Sequence, residues 1–263
     1  MKIRFLGTGG SEGIPCLRCS CLHCEEARKT PHFRRAPTSV LIKEKNEALL
    51  IDAGSDPGFL LEKVSLQGIL LTHWHADHWA ALPRLSWAAR PLPFLCPEPE
   101  KTPSFIKRGL VPLKKAPFDP ENWGIFQIYP LPLKHSVLTW GYLIKTKNST
   151  DSVAILWDTK GLPSETLYFL RAQRPKLAIV DATYPPNKEA QNHNNVLEAA
   201  NLGLAVAEEV YLTHFSHQNW PPLLLEEYLS SRFGNDPVAL AFDGLEHQLS
   251  HPLRLSLEMA KAI

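Results

Sequence analysis

No stretch of this 263-residue chain approaches the roughly 20 consecutive apolar residues that cross a bilayer, and the opening Met1-Lys2-Ile3-Arg4-Phe5-Leu6-Gly7 lacks the apolar run of a secretory signal. The expectation is a cytoplasmic protein with no membrane partner. An excess of one charge is also missing: 28 Lys+Arg against 27 Asp+Glu leave a formal net charge of +1. Without a broad basic field, extended nucleic acid is not an expected partner, and small substrates are favoured. Cysteines spread out for a disulfide framework are lacking too. Four of the five lie between Cys16 and Cys24, too close together to staple a domain, and a reducing compartment leaves them as thiols. Internal repeats and low-complexity segments are absent from the sequence. With 44% hydrophobic and 21% charged residues, the chain is neither disordered nor fibrous, and it can bury one large core or two modest ones.

Short β-rich runs alternate with longer amphipathic stretches. Period-2 and β-branched patterning predicts strands over Ile3–Leu6, Ser39–Lys43, Ala48–Asp52, Gly68–Thr72, Phe94–Cys96, Ile125–Leu131, Gly141–Thr146, Val153–Asp158, Leu177–Asp181, Val210–Thr213 and Val238–Phe242. Helices are expected over Pro57–Val64, Trp79–Ala88, Ser164–Arg171, Asn194–Glu208 and Pro221–Phe233, with Ser164 and Asn194 as N-caps. The class is α/β. Between Pro91 and Pro132 prolines cluster densely enough to predict an irregular connection between two halves. Chemically similar polar residues end strands on both sides of it (Asp52 and His73 before, His135, Asp158, Asp181 and His214 after), so the expectation is one domain, 1–263, whose halves share one site. The tail Ser250–Ile263 carries Leu253, Leu255, Leu257 and Met259 without a pattern that decides whether it packs.

The densest chemistry is His73-Trp74-His75-Ala76-Asp77-His78, where the apolar run Gly68–Thr72 stops. Imidazoles at i and i+2 on an extended segment project to one side, while the Asp and His after the turn can face a second point a few ångströms away. Three His and one Asp in six residues suit a pair of metal ions better than a solvated turn. Alone, His135, Asp158 or His214 would read as an ordinary strand-end polar residue. Together with the cluster they fit a site gathered at the carboxyl ends of strands.

Thr8-Gly9-Gly10, Ile51-Asp52-Ala53-Gly54, the His73–His78 cluster, His135, Asp158 and His214 together resemble the metallo-β-lactamase fold, an αββα sandwich of two mixed β-sheets flanked by helices. Within that fold, Leu131-Pro-Leu-Lys-His-Ser136, Trp140-Gly-Tyr-Leu143, Asp158-Thr159 with Gly161-Leu-Pro163, Asn192-His193-Asn194 and Leu212-Thr-His-Phe-Ser-His-Gln218 are similar to PhnP-type phosphodiesterases, which hydrolyse phosphoribosyl 1,2-cyclic phosphate and related cyclic ribose phosphates. The resemblance runs from about Ile3 to about Glu246. It implies one divalent ion held by His73, His75 and His135, a second held by Asp77, His78 and His214, and Asp158 bridging them. Such a pair, about 3.5–4 Å apart, clamps a phosphodiester and lowers the pKa of a bridging water. Imidazole and carboxylate without thiolate suit Mn, Zn or Fe, and the resemblance favours Mn. It further implies His193 as general acid, counted with Asp77 among the catalytic residues, and a homodimer. Asp52 and Asp181 are expected behind the ligands, orienting imidazoles, or as buried structural carboxylates; the alternative for His193 is a polar residue beside the helix cap Asn194.

Cys19-Ser-Cys21-Leu-His-Cys24 is a second constellation. Three thiolates can surround a structural Zn whose fourth ligand the resemblance assigns to His217; Cys16 as fourth ligand, or an iron–sulfur cluster, is the alternative. Cys96 reads as a small core residue, Arg34 and Arg35 as a solvated basic pair, and Trp74 and Trp79 either pack or stack on a base or sugar. The leading expectation is a metal-dependent phosphodiesterase acting on small cyclic or diester ribose phosphates. A tRNA 3′-processing nuclease of the same superfamily and a non-catalytic, PqqB-like metal-binding protein of cofactor biosynthesis are the alternatives.

Overall fold

The computed structural model describes residues 1–147 and 150–253; the tail residues Leu255, Leu257 and Met259 lie outside them. The strands are β1 (Lys2–Gly7), β2 (Ser39–Glu44), β3 (Glu47–Ile51), β4 (Ser65–Leu70), β5 (Leu92–Leu95), β6 (Leu110–Leu113), β7 (Glu121–Trp123), β8 (Phe126–Pro132), β9 (Trp140–Thr146), β10 (Ser152–Leu156), β11 (Leu177–Asp181), β12 (Glu209–Thr213), β13 (Val238–Leu240) and β14 (Glu246–Gln248). The helices are α1 (Leu22–Lys29), α2 (Ala76–Trp79), α3 (Leu82–Leu85), α4 (Ser164–Gln173), α5 (Val196–Leu204) and α6 (Pro222–Phe233).

Two seven-stranded sheets result, ordered β14-β1-β2-β3-β4-β5-β6 and β13-β12-β11-β10-β9-β8-β7. Each is mixed. In the first, β3 to β6 run parallel and β14, β1 and β2 antiparallel; in the second, β10 to β13 run parallel and β7 to β9 antiparallel. Their inner faces meet through Ile3, Phe5, Ile42 and Ile51 on one side and Ile128, Tyr142, Ile155 and Tyr211 on the other, with the Phe5 and Tyr211 rings 5.2 Å apart, edge to face. The outer face of the second sheet (Leu143, Leu156, Val180, Leu212) is covered by Leu170 of α4, Val196 and Ala200 of α5, and Leu225 and Leu229 of α6. On the first sheet, Leu50, Ile69 and Phe94 are covered by Leu82 of α3 and by Ile106. Strands buried on both faces read as continuous apolar runs, which is why β10, β11 and β12 stand out in the sequence. This is the expected αββα sandwich.

Several local expectations are corrected. Strands run through the proline-rich stretch instead of an irregular connection: Pro93 lies in β5, Pro112 in the edge strand β6, and Pro130 and Pro132 in β8. The Pro130 carbonyl accepts the Phe118 N–H beyond the end of β7, so its missing donor faces that open side and the ladder to β9 is untouched. The helix expected over Trp79–Ala88 is two short ones, α2 and α3, starting earlier; Pro83, lacking an N–H, sits in the first turn of α3. Pro57–Val64 is a 3₁₀ helix over Gly58–Lys63. Asn195, not Asn194, caps α5, in a reciprocal box with Glu198, and Pro163, not Ser164, precedes α4. No helix of the described residues is long and apolar enough to cross a membrane.

Candidate metal centre and active site

The parallel strands β3, β4, β10, β11 and β12 deliver their carboxyl ends to one cleft between the sheets, and the polar residues that stop their apolar runs gather there. Three of those residues, Asp52 (φ 57°), Asp158 (φ 58°) and His214 (φ 58°), take the left-handed conformation. Asp and His tolerate it better than branched residues, and it swings each side chain from the strand into the cleft. Gly54 makes a further close approach possible. A Cβ there would lie 1.8 Å from the Asp77 carbonyl, so only glycine lets the turn after β3 seat against the first turn of α2, which carries Asp77 and His78.

His73, His75, His135 and Asp158 form one group of donor atoms all within 4.8 Å of one another, and Asp77, His78 and His214 form a second. His73 Nε2 lies 2.8 Å from His75 Nδ1, which lies 3.3 Å from His135 Nε2. Asp158 stands between the groups. Its Oδ2 is 3.2 Å from both His73 Nε2 and His78 Nε2, and its Oδ1 is 3.0 Å from His214 Nε2. Yet His78 Nε2, Asp158 Oδ1 and His214 Nε2 are buried without a well-formed hydrogen bond. Lone pairs that converge on common points without bonding one another fit cations between them, and the imidazole and carboxylate donors suit Mn, Zn or Fe.

The far side of the rings is tied down. His78 Nδ1–H donates to Asp52 Oδ2 at 2.6 Å, His135 Nδ1–H to the Asn192 carbonyl at 3.1 Å, and His214 Nδ1 lies 3.0 Å from Thr183 Oγ1. Asp52, fully buried, also accepts from Thr72 N (2.8 Å), Thr72 Oγ1 (2.8 Å) and Trp157 Nε1 (2.8 Å). Such partners fix ring orientation and leave the opposite nitrogen for an ion. Asp181 is placed behind His193 rather than behind one of the seven: it accepts from His193 Nδ1–H at 3.1 Å and from Asn194 Nδ2 at 3.0 Å. The bond from Asn194 explains why that residue is not the helix cap.

Charge follows this layout. Burial alone would raise Asp158, but His214, His78 and His73 around it hold its carboxyl well below the ordinary range. Burial would lower His78, but Asp158 and Asp52 on its two sides raise it well above the usual imidazole value. Burial is outweighed for Asp77 too, which His214 and His78 hold down, whereas it prevails for His135, pushed down to about 4. For His193 burial is again outweighed, here by the bond to Asp181, and its pKa is raised. The His193 ring stacks on His214 with centroids 5.3 Å apart, which puts it at the rim of the second group.

Cys19, Cys21, Cys24 and His217 form a separate donor group within 4.8 Å. His217 Nδ1 is 3.3 Å from Cys19 Sγ and 3.7 Å from Cys21 Sγ. Cys16 stands apart. Its thiol faces the Leu17 carbonyl, while its backbone N–H donates to Cys24 Sγ at 3.2 Å, an arrangement that provides three thiols and one imidazole rather than four thiols. Burial pushes the Cys24 thiol up to about 12. Cys24 sits in the first turn of α1, a helix hidden in the sequence because only His23, Cys24 and Ala27 of it are buried.

Sequence reasoning misjudged Arg35. It is 3% exposed, donates to Thr8 Oγ1 at 2.6 Å and lies over the Phe215 and Phe242 rings, so it is a core brace, while Arg34 is exposed. Trp74 and Trp79 pack on one another: the Trp74 ring meets Trp79 and Phe94 edge-on and its Nε1–H donates to the Pro97 carbonyl. Cys96 is fully buried in the core. Two contributors were missed. Trp157 as a donor to Asp52 carries no sequence signal beyond its place before Asp158, and Glu12, which accepts from Ser216 Oγ at 2.7 Å and from His217 N at 3.0 Å, is far away in sequence.

The family model described as metallo-β-lactamase superfamily matches residues 33–147. A ribonuclease Z of Methanosarcina mazei is 26% identical over 162 residues, covering 54% of this chain and 47% of that relative. The chain thus spans about half the length of the curated ribonuclease Z relatives it matches. Among solved structures, a diphosphatase of the PhnP family aligns with 96% of this chain and 99% of its own at 25% identity and a TM-score of 0.75. Zinc-bound PqqB from Methylobacterium extorquens aligns with 94% of this chain and 100% of its own at 15% identity and a TM-score of 0.71, a likeness of fold alone.

Proposed function

From the premise that the chain has the metallo-β-lactamase fold, we propose that it is a metal-dependent phosphodiesterase acting on small cyclic or diester ribose phosphates. The observation that carries this reading is the bridged donor set: His73, His75 and His135 on one side of Asp158, and Asp77, His78 and His214 on the other. Two divalent ions held there, Mn or Zn, supply charge neutralisation for the phosphoryl oxygens and acidify water at neutral pH. The protein's own residues do the rest. Asp52 holds His78 in one orientation, so the second group is preorganised before substrate arrives. His193, whose hold on a proton the bond to Asp181 strengthens, can give its Nε2 proton to the departing sugar oxygen, while Asp181 accepts from Nδ1 and stabilises the charged ring. The low pKa of His135 keeps its ring nitrogen free of protons and open to an ion through the physiological range.

In the same reading the three thiols and His217 hold one structural Zn, which ties the loop after β1 to the segment that carries His214. Both sheets serve a single site in one domain, the substrate is a small phosphodiester rather than extended nucleic acid, and the chain works in the cytoplasm, with a homodimer as the expected assembly. The test is elemental analysis of the purified protein together with a turnover screen of 2′,3′-cyclic nucleotides, phosphoribosyl 1,2-cyclic phosphate and lactones. Mn- or Zn-dependent turnover of the phosphates supports the reading; preference for lactones overturns the substrate class. The ribonuclease Z relatives favour a second reading, a tRNA 3′-processing nuclease. A net charge of +1 argues against it, and a salt-dependent gel shift with tRNA decides it. A PqqB-like, non-catalytic role is the outcome if the metal-loaded protein turns over no ester.

A further inference from the structure

We propose that Glu12 is a specificity-determining residue that reads a free hydroxyl on the sugar side of the substrate, an inference that rests on the phosphodiesterase reading above. A cavity of about 290 Å³ opens beside the donor groups and is lined by Gly10, Glu12, Tyr184, His193, His214 and Gln218. The stacked His193 and His214 rings form one wall, so a diester held at the donor groups can extend its sugar arm, departing or retained, into this space.

Opposite that wall stands the Glu12 carboxylate. Its Oε1 is occupied: Ser216 Oγ donates to it at 2.7 Å and the His217 N–H at 3.0 Å, which fixes the orientation of the group. Its Oε2 has a long contact from Ser11 Oγ at 3.5 Å and no closer side-chain donor among the described residues. A Cβ at Gly10 would lie 3.5 Å from Glu12 Oε2 and 3.5 Å from His214 Cε1, in the gap between them; glycine leaves that gap open. A held carboxylate with one spare oxygen accepts hydrogen bonds and donates none, and it repels a second phosphate. An anionic group beside the path of an anionic diester is unfavourable unless it meets a donor on the substrate, and on a ribose arm that donor is a hydroxyl. The half-buried Tyr184 lines the same cavity, with Lys188 Nζ lying over its ring at 4.1 Å.

The test uses a matched pair of diesters, uridine 5′-(p-nitrophenyl phosphate) and its 2′,3′-dideoxy analogue, with the metal-loaded wild type, Glu12→Gln and Glu12→Ala. Two readouts are compared: kcat/KM by nitrophenolate release, and Kd by calorimetry for uridine 5′-monophosphate against 2′,3′-dideoxyuridine 5′-monophosphate. The wild type is expected to favour the hydroxyl-bearing member by about tenfold, the value of one well-placed hydrogen bond to a charged group. Both variants are expected to bring that ratio close to one. A wild-type ratio near one, or a tenfold ratio that survives in both variants, overturns the proposal. If both esters turn over equally well, the Glu12 assignment falls and the phosphodiesterase reading stands. If neither turns over but the diol product binds tighter in a Glu12-dependent way, the assignment stands and that reading falls.

Discussion

Replacing Asp52 by Asn changes a buried carboxylate with four donors aimed at it into a group with one acceptor oxygen. Thr72 N–H points at Oδ1, and Thr72 Oγ1, His78 Nδ1–H and Trp157 Nε1–H point at Oδ2. Whichever way the amide is turned, its NH₂ confronts at least one N–H, and nothing at this depth brings in water, since Asp52, Thr72, His78 and Trp157 are all buried. One stranded donor plus one weakened charge-assisted bond costs about 3 kcal/mol, which for a chain of this size lowers Tm by about 6–12 °C. A second effect is separable. An Asn NH₂ facing His78 favours the tautomer with the proton on Nε2, the nitrogen that points at Asp77 and Asp158, and such a change behind a ligand weakens metal binding by about 10–100-fold. Thermal unfolding of the metal-free protein isolates the first effect, and competition with a chelating dye for Mn or Zn isolates the second. Unchanged Tm and wild-type metal affinity in Asp52→Asn would refute this account of Asp52.

His193→Ala should lower kcat by about 10²–10⁴-fold with metal content retained; elemental analysis that finds an active-site ion missing would instead make His193 a ligand, as its nearness to Asp158 and His214 allows. Cys24→Ser should release one Zn per chain and lower Tm, while Cys16→Ser should keep the Zn, because the Cys16 thiol faces away from the group; zinc loss in Cys16→Ser reverses that assignment. His23 is 2% exposed and burial, with Arg35 nearby, lowers its pKa to about 4. The unfolded chain therefore binds the extra proton first: stability is full above pH 6.5 and falls as pH drops from 6.5 towards 4, by about 3 kcal/mol. Urea midpoints at pH 7 and pH 4.5 should show this loss in the wild type and a smaller one in His23→Gln, and equal losses would contradict it.

How much was legible beforehand depended on burial. β10, β11 and β12 are buried on both faces and announce themselves as apolar runs ended by Asp158, Asp181 and His214. By contrast β7 and β14 are three-residue strands of largely polar sequence, Glu-Asn-Trp and Glu-His-Gln, stable only because a neighbouring strand is already in place. The donor residues were readable because His and Asp in short spacing have few structural uses. Their partners were not: Trp157 reaches Asp52 across 105 positions and Ser216 reaches Glu12 across 204, and periodicity carries no information over such separations. Arg35 was misread because an Arg-Arg pair looks solvated until the fold lays Phe215 and Phe242 beneath one of them.

Anomalous diffraction from crystals of the Mn-loaded protein tests the central claim most directly. Two peaks are predicted beside Asp158, one among His73, His75 and His135 and the other among Asp77, His78 and His214. A map with no peak in that cleft, or with density only at the cysteine cluster, would contradict it.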